Sequence, residues 1–149
     1  MFPFGTTEEK ITFQARKVHD VWNHHNKSLA ERNTEEFIKD FSDECVFINN
    51  PLGGHASGTF IGPAGVATWC KEFFSLFDNV TEFSVPLGAH VEGADSTAGV
   101  VMISWSIENP RNHVTGGVDT FIVDKGQFQI VTVVYDVDQK NEETFKNER

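Results

Sequence analysis

The chain has 149 residues, 39% of them hydrophobic and including 14 Phe and 3 Trp, with 22 acidic and 12 basic side chains for a formal net charge of −10. That length suits one domain with a core large enough to fold without staples. The acidic balance excludes a nucleic-acid surface, which needs clustered Lys and Arg, and argues equally against an anionic membrane surface.

No stretch approaches the ~20 apolar residues of a membrane span. The first residues, Met1-Phe2-Pro3-Phe4-Gly5, lack the basic start and apolar run of a signal peptide, so a cytoplasmic chain is expected. Cys45 and Cys70 lie beside Val46, Phe47 and Trp69 and read as buried small hydrophobes, with neither a CxxC partner nor a metal-site spacing.

In chain order, the first helix is expected to start after Thr6-Thr7-Glu8-Glu9. Its apolar stripe is Ile11, Ala15, Val18, Trp22, His25 and Leu29, at steps of three and four. A second, short helix follows, capped at Asn33 or Thr34 with Glu36 and buried by Phe37 and Phe41. Cys45-Val46-Phe47-Ile48 is a β-type run ended by Asn49-Asn50-Pro51, and Leu52 to Phe60 reads as a glycine-rich loop. Gly62-Pro63 opens a third helix whose buried side is Val66, Trp69, Cys70, Phe73, Leu76 and Phe77.

From Thr81 the period becomes two. Thr81, Phe83, Val85, Leu87, Ala89 and Val91 alternate with more polar residues, and Pro86 within the run predicts an edge strand or a bulge. Gly93 to Ser96 is a turn. Val101, Ile103, Trp105 and Ile107 share one face of the next strand, Asn109 to Asn112 is a loop, and Val114 to Val123 is a strand. Asp124-Lys125-Gly126 forms a hairpin turn into a last strand from Phe128 to Val137; the polar residues 141–149 are expected to fray. Helices followed by a meander define an α+β fold. Both faces of the last two strands look apolar: Asp119, Phe121 and Val123 against Val118, Thr120 and Ile122, then Phe128, Ile130 and Val134 against Val131, Val133 and Tyr135. A sheet with one wet face would alternate cleanly, so a second copy of the chain is expected to cover the outer face.

Asp119 shares a face with Phe121 and Val123 and is expected to point into an apolar interior. There a carboxyl must be bonded, paired or protonated. It is either an acid with a raised pKa on a pocket floor or a structural Asp bonded to nearby backbone or to the His25 ring. His25 is either a satisfied core residue or a proton carrier; His24 falls off the stripe and should face solvent. Asn50 either faces the cavity or is turn chemistry. His19, His24, His25, His55, His90 and His113 form no HxxxH or HxH pair, so no metal site is expected. The sequence shows no phosphate loop, nucleophile elbow or dinucleotide fingerprint, and no cofactor is expected.

Three stretches together carry a family resemblance: 35–47 (EEFIKDFSDECVF), 58–62 (GTFIG) and 117–126 (GVDTFIVDKG). In order and spacing the chain resembles the nuclear transport factor 2-like superfamily, especially its bacterial SnoaL-like and ketosteroid-isomerase-like members. The likeness covers about residues 8–137 of a single domain spanning 1–149. It implies a cone-shaped cystatin-like roll, three helices from the N-terminal half packed on a strongly bent, mainly antiparallel sheet, with a pocket at the wide end and often a homodimer through the sheet.

In the isomerases of that group, a carboxylate at the end of the first strand moves a proton beside a ketone, while a helix Tyr and a protonated late-strand Asp bind the oxyanion. Carried over, the late Asp is Asp119, the Tyr position is His25 within about one turn, and the base position is Asn50, an amide that cannot abstract a proton. The expected pocket lining is Trp22, His25, Asn50, Trp69, Trp105, Asp119 and Phe121, around a small apolar molecule. Two functions stay open: an isomerase, dehydratase or cyclase acting on an apolar carbonyl compound with Asp119 and His25 as its acid–base pair, or a non-catalytic ligand-binding or dimeric interaction domain.

Overall fold

The computed structural model describes residues 16–51 and 58–140. Its α+β architecture follows the expected order: helices α1 (Val18–Ala30), α2 (Thr34–Phe37) and α3 (Gly62–Leu76) against strands β1 (Phe41–Pro51), β2 (Gly58–Ile61), β3 (Glu82–Ser84), β4 (His90–Glu92), β5 (Gly99–Glu108), β6 (Asn112–Asp124), β7 (Gln127–Tyr135) and β8 (Asp138–Gln139). All the strands join one sheet with the central order β2-β1-β7-β6-β5-β3; β4 also pairs with β5, and β8 with β6. Every pairing is antiparallel except β1 with β7, which is parallel. Register shifts between Phe41 and Val46, between Trp105 and Ile107, and between Ile122 and Val123 bend the sheet over the helices.

Several boundaries differ from the sequence reading, each for a local reason. α1 begins at Val18, where the N–H groups of Val18 and His19 bond to Ser96 O and Ala94 O of the turn before β5. That turn satisfies helix-end donors that no side chain caps. The expected helix start at Thr6–Glu9 and the stripe residues Ile11 and Ala15 lie outside the described residues, as do the tail 141–149 and most of the expected loop from Leu52. The last residues of that loop, 58–60, instead begin β2, paired to β1 from Asn49↔Gly58 to Val46↔Ile61. α2 is capped as expected, Asn33 accepting from the Glu36 N–H at 3.1 Å, but Phe41 belongs to β1.

The expected strand from Thr81 to Val91 is two short strands separated around Pro86, both paired to β5. Proline cannot donate to the ladder, and Leu87, assigned inward by alternation, is 89% exposed in the resulting gap. In β7, Phe128 pairs with Val123 and Ile130 with Ile122, which leaves Gln129 as an extra residue. Phe128 is therefore buried with Val131, Val133 and Tyr135, whereas Ile130 and Val134 point outward. The Lys125-Gly126 turn has both residues at positive φ (54° and 70°), the geometry that matches strand twist in a two-residue hairpin.

The outer face of the sheet carries exposed Ile48, Met102, Val118, Ile122, Ile130 and Val134. The inner face joins the helices in an aromatic core. Below α1 lies an ionic cluster at the fully buried Asp40, which accepts from Arg16 Nη1 at 2.8 Å and from His24 Nδ1 at 2.8 Å, while His24 Nε2 meets Glu36 at 2.9 Å. His24 thus faces a buried carboxylate and not solvent. Burial drives the Asp40 carboxyl upward against these donors, but with a guanidinium and an imidazole both in contact the carboxylate is the form the site holds. His24 is raised above its ordinary 6.5 chiefly by its hydrogen bond to Asp40.

A group raised on folding stabilises fully below its unfolded pKa and loses that contribution as pH climbs through the folded value. The melting temperature should therefore fall between pH 6 and 8.5, and His24→Gln should lower it at pH 6 and flatten that slope. Calorimetry across pH checks both; an unchanged slope in the variant removes His24 from the account.

Candidate functional site

The helices and the inner sheet face enclose a cavity of about 590 Å³, within the range of ligand pockets, ~300–1,000 Å³. α1 contributes Trp22 and His25, β1 Phe47, α3 Trp69 and Phe73, β5 Ile103 and Trp105, and β6 Asp119 and Phe121. The edge of the sheet adds Phe83 of β3, Val80 just before it, and Val85, Gly88 and Ala89 from the break between β3 and β4 to the lining.

Asp119 sits in the middle of β6 opposite Ile103 and Val133. Its Oδ1 accepts the Trp105 indole N–H at 2.6 Å. Gly117, the register partner of Trp105, makes this possible: a Cβ there would stand 2.5 Å from the indole, so the ring lies across the bare backbone and reaches the carboxyl two residues on. Burial pushes Asp119 up to about 7, against the Trp105 hydrogen bond, which favours the carboxylate. Since Oδ1 already accepts, the neutral form carries its proton on Oδ2.

His25 is 4% exposed and wrapped in rings: Trp22 stacks on it at 5.3 Å, and Phe37, Phe121 and Phe128 lie at 4.8, 5.0 and 5.2 Å. Its Nδ1 is buried with no hydrogen-bond partner. Burial, reinforced by neighbouring His24, drives it down to about 3, so the imidazole is neutral across the physiological range. Asp119 is not hydrogen-bonded to it; the carboxyl's bond is to Trp105 instead.

Of the residues the sequence assigns to the pocket, Trp22, His25, Trp69, Trp105, Asp119 and Phe121 line one cavity. Asn50 does not: its side chain is exposed on the outer face. Alternation from Cys45 and Phe47 turns Asn49 inward, and the Asn49 amide is committed to structure, accepting from Trp69 Nε1 at 3.1 Å and hydrogen-bonding the Tyr135 phenol. The inward identity of Asn49 was legible in the period of the strand; the motif Asn50-Pro51 drew the assignment one residue too far. Phe47 and Phe73 have the spacing signal of their elements, but Arg32, also in the lining, follows the helix and carries no sequence signature.

Among the described residues no group of His, Cys, Asp or Glu is arranged to hold a metal ion, and no helix is long and apolar enough to cross a membrane.

Helices packed on one bent sheet form an α+β roll, and solved structures share that fold. The chain matches a cystatin-like-fold protein of Methylobium petroleophilum at 16% identity, TM-score 0.59, covering 83% of this chain and 78% of that one. It matches an NTF2-like protein of Burkholderia xenovorans at 13% identity, TM-score 0.56, covering 97% and 95%. An LEH-like epoxide hydrolase of M. tuberculosis matches at 16% identity, TM-score 0.51, covering 84% of each chain. No family model and no curated protein sequence matches the chain. The fold is the NTF2-like, cystatin-like roll.

Trp105→Phe keeps the ring and removes the donor, so the Asp119 midpoint should move above about 7 in a carboxyl NMR titration. Gly117→Ala should overpack the indole and destabilise by about 1–3 kcal/mol. An unmoved midpoint in the Phe variant refutes the Trp105–Asp119 coupling.

Proposed function

We propose that this protein binds a small apolar carbonyl compound in the cavity, with the neutral Asp119 carboxylic acid donating from Oδ2 to the ligand oxygen. The observation that carries this reading is a single carboxyl, hydrogen-bonded to Trp105 and pushed up to about 7, in a chamber whose lining is mostly aromatic and aliphatic, with Asn26 and Arg32 at its exposed end. Asp119 and His25 are the titratable groups of its interior; the imidazole is neutral across the physiological range and the carboxyl is mainly protonated below about pH 7. His25 presents its neutral imidazole to the same wall, packed against Trp22 and Phe121. Trp22, Trp69, Trp105 and Phe121 supply ring faces or edges.

Binding without turnover is favoured over proton abstraction. Asn50 lies outside the cavity, Asn49 is engaged with Trp69, and an imidazole driven down to about 3 is a weak base. The same value of about 7 for Asp119 favours a second reading, acid-catalysed isomerisation or dehydration. A group at that pKa both gives and takes a proton near neutral pH. The M. tuberculosis neighbour is an epoxide hydrolase, but one fold hosts many chemistries, so the site and not the likeness decides. We further propose a cytoplasmic setting, consistent with Cys45 and Cys70 being free and buried.

Affinity for an aryl ketone should be flat below about pH 7 and weaken about tenfold per unit above it, because only the protonated acid donates. Asp119→Asn keeps a donor but cannot titrate, so it should bind more weakly and without that pH dependence; His25→Ala should also weaken binding. Calorimetric titration at pH 6 and 8.5 checks this, and a pH-independent wild type counts against it.

The exposed outer face supports a homodimer packed through the sheet. Ile122, 40% exposed, and Val118, 50% exposed, stand on the outward face of β6 on either side of Thr120, opposite Ile130 and Val134 of β7. Sedimentation at micromolar concentration should give a dimer, and Ile122→Lys a monomer with the cavity intact. A monomeric wild type removes this reading.

A further inference from the structure

Among the described residues that line the cavity, Arg32 is the single cation. It is exposed, whereas Asp119 is part-buried in the middle of β6 with its carboxyl against the Trp105 indole. Arg32 occupies the position just past the end of α1 where the backbone turns left-handed (φ 50°). Its N–H bonds to Leu29 O at 3.1 Å and the Asn33 N–H to Ser28 O at 2.9 Å, the paired bonds of a helix-ending motif that usually places glycine there. A side chain at that backbone costs on the order of 1 kcal/mol, so the choice of arginine calls for a reason.

The guanidinium is held in place. Nη1 donates to Phe74 O at 3.1 Å, Nη2 donates to Phe77 O, and the group lies 5.1 Å from the centroid of the Phe74 ring. Those carbonyls fix its position without cancelling its unit charge, and five N–H donors leave capacity beyond these two bonds. The nearest acid of the α3 end, Asp78, is engaged by Arg111 at 2.7 Å. Asn26, also in the lining, carries an exposed side-chain amide on α1. The rim thus offers a pre-positioned cation and an amide above an apolar shaft with a neutral acid at its floor.

We infer that the ligand is amphipathic: an apolar, ring-bearing body with an oxygen acceptor directed to Asp119 and an anionic group, such as a carboxylate, left at the rim against Arg32. This rests on the reading of the cavity as a ligand site. Arginine suits the task because its planar fork meets a carboxylate with two parallel donors.

The test uses a solvatochromic naphthyl ketone bearing a carboxymethyl group at the end opposite the ketone, and the methyl ester of the same compound, titrated at pH 6 and low salt. The wild type should bind the acid about tenfold tighter than the ester, the gain of ~1.4 kcal/mol that one assisted ion pair supplies. Arg32→Gln should bring that ratio to about one, and Arg32→Lys should keep part of it. If Arg32 only caps α3, Arg32→Gln lowers the melting temperature and leaves the acid-to-ester ratio unchanged, which overturns the inference. Equal binding of acid and ester by the wild type overturns it too while leaving the cavity reading intact. Binding of neither compound sinks that reading, and this one with it.

Discussion

The parallel pairing of β1 with β7 is the constraint on which the rest of the molecule depends. Strands separated by most of the chain lie side by side, Phe47 beside Val131 and Asn49 beside Val133. That contact brings the helical half of the sequence onto the meander formed by its other half. Non-local pairings of this kind require loop-closure entropy to be met before any contact repays it, so they persist only where burial is extensive. Here it is: Phe41, Phe47, Phe128 and Val131 are all buried around the seam. Without it α1 and α3 would have no common floor and the cavity no walls.

The chamber that results keeps its charged lining residue, Arg32, at an exposed position and two groups with shifted titration, Asp119 and His25, among its rings. Burial acts in opposite directions on its two titratable groups, raising the acid and lowering the imidazole, because in both cases the charged form is the one that loses solvation. The outcome is a pair of neutral hydrogen-bonding groups in a setting too apolar to keep either ionised cheaply. Away from the cavity, the same cost is met differently. Asp40 is buried more completely than Asp119 but has Arg16 and His24 for partners, so its charge is retained as structure. One carboxyl is stabilised by partners and the other by protonation, and only the second is left with a proton to offer.

Most of this arrangement could be read before any coordinates. The helix stripe that placed Trp22 and His25 together, the switch to period two, and the inward face of Asp119 and Phe121 all follow from repeat lengths that backbone geometry imposes. What escaped the reading depended on partners distant in sequence. The edge strand 58–61 was hidden in glycine-rich composition until β1 gave it a neighbour. The bulge at Gln129 inverted Phe128, since a single extra residue exchanges the two faces of a strand. His24 looked solvated because nothing local announces a buried carboxylate sixteen positions later. Arg32 went unnoticed for a related reason: its position follows from a helix ending, and its partners are carbonyls more than forty residues downstream.

The interruption of the edge strand at Pro86 also bears on kinetics. β5 is paired on that side by β3 and by β4, with residues 85–89 bridging the space between them at the cavity rim. A guest entering there would displace side chains and a turn and would break no ladder hydrogen bond. Exchange of a guest by that route would be uncoupled from the stability of the sheet, because a short peripheral segment would move while the seam between β1 and β7 stayed paired. Substitutions that stiffen one need not alter the other.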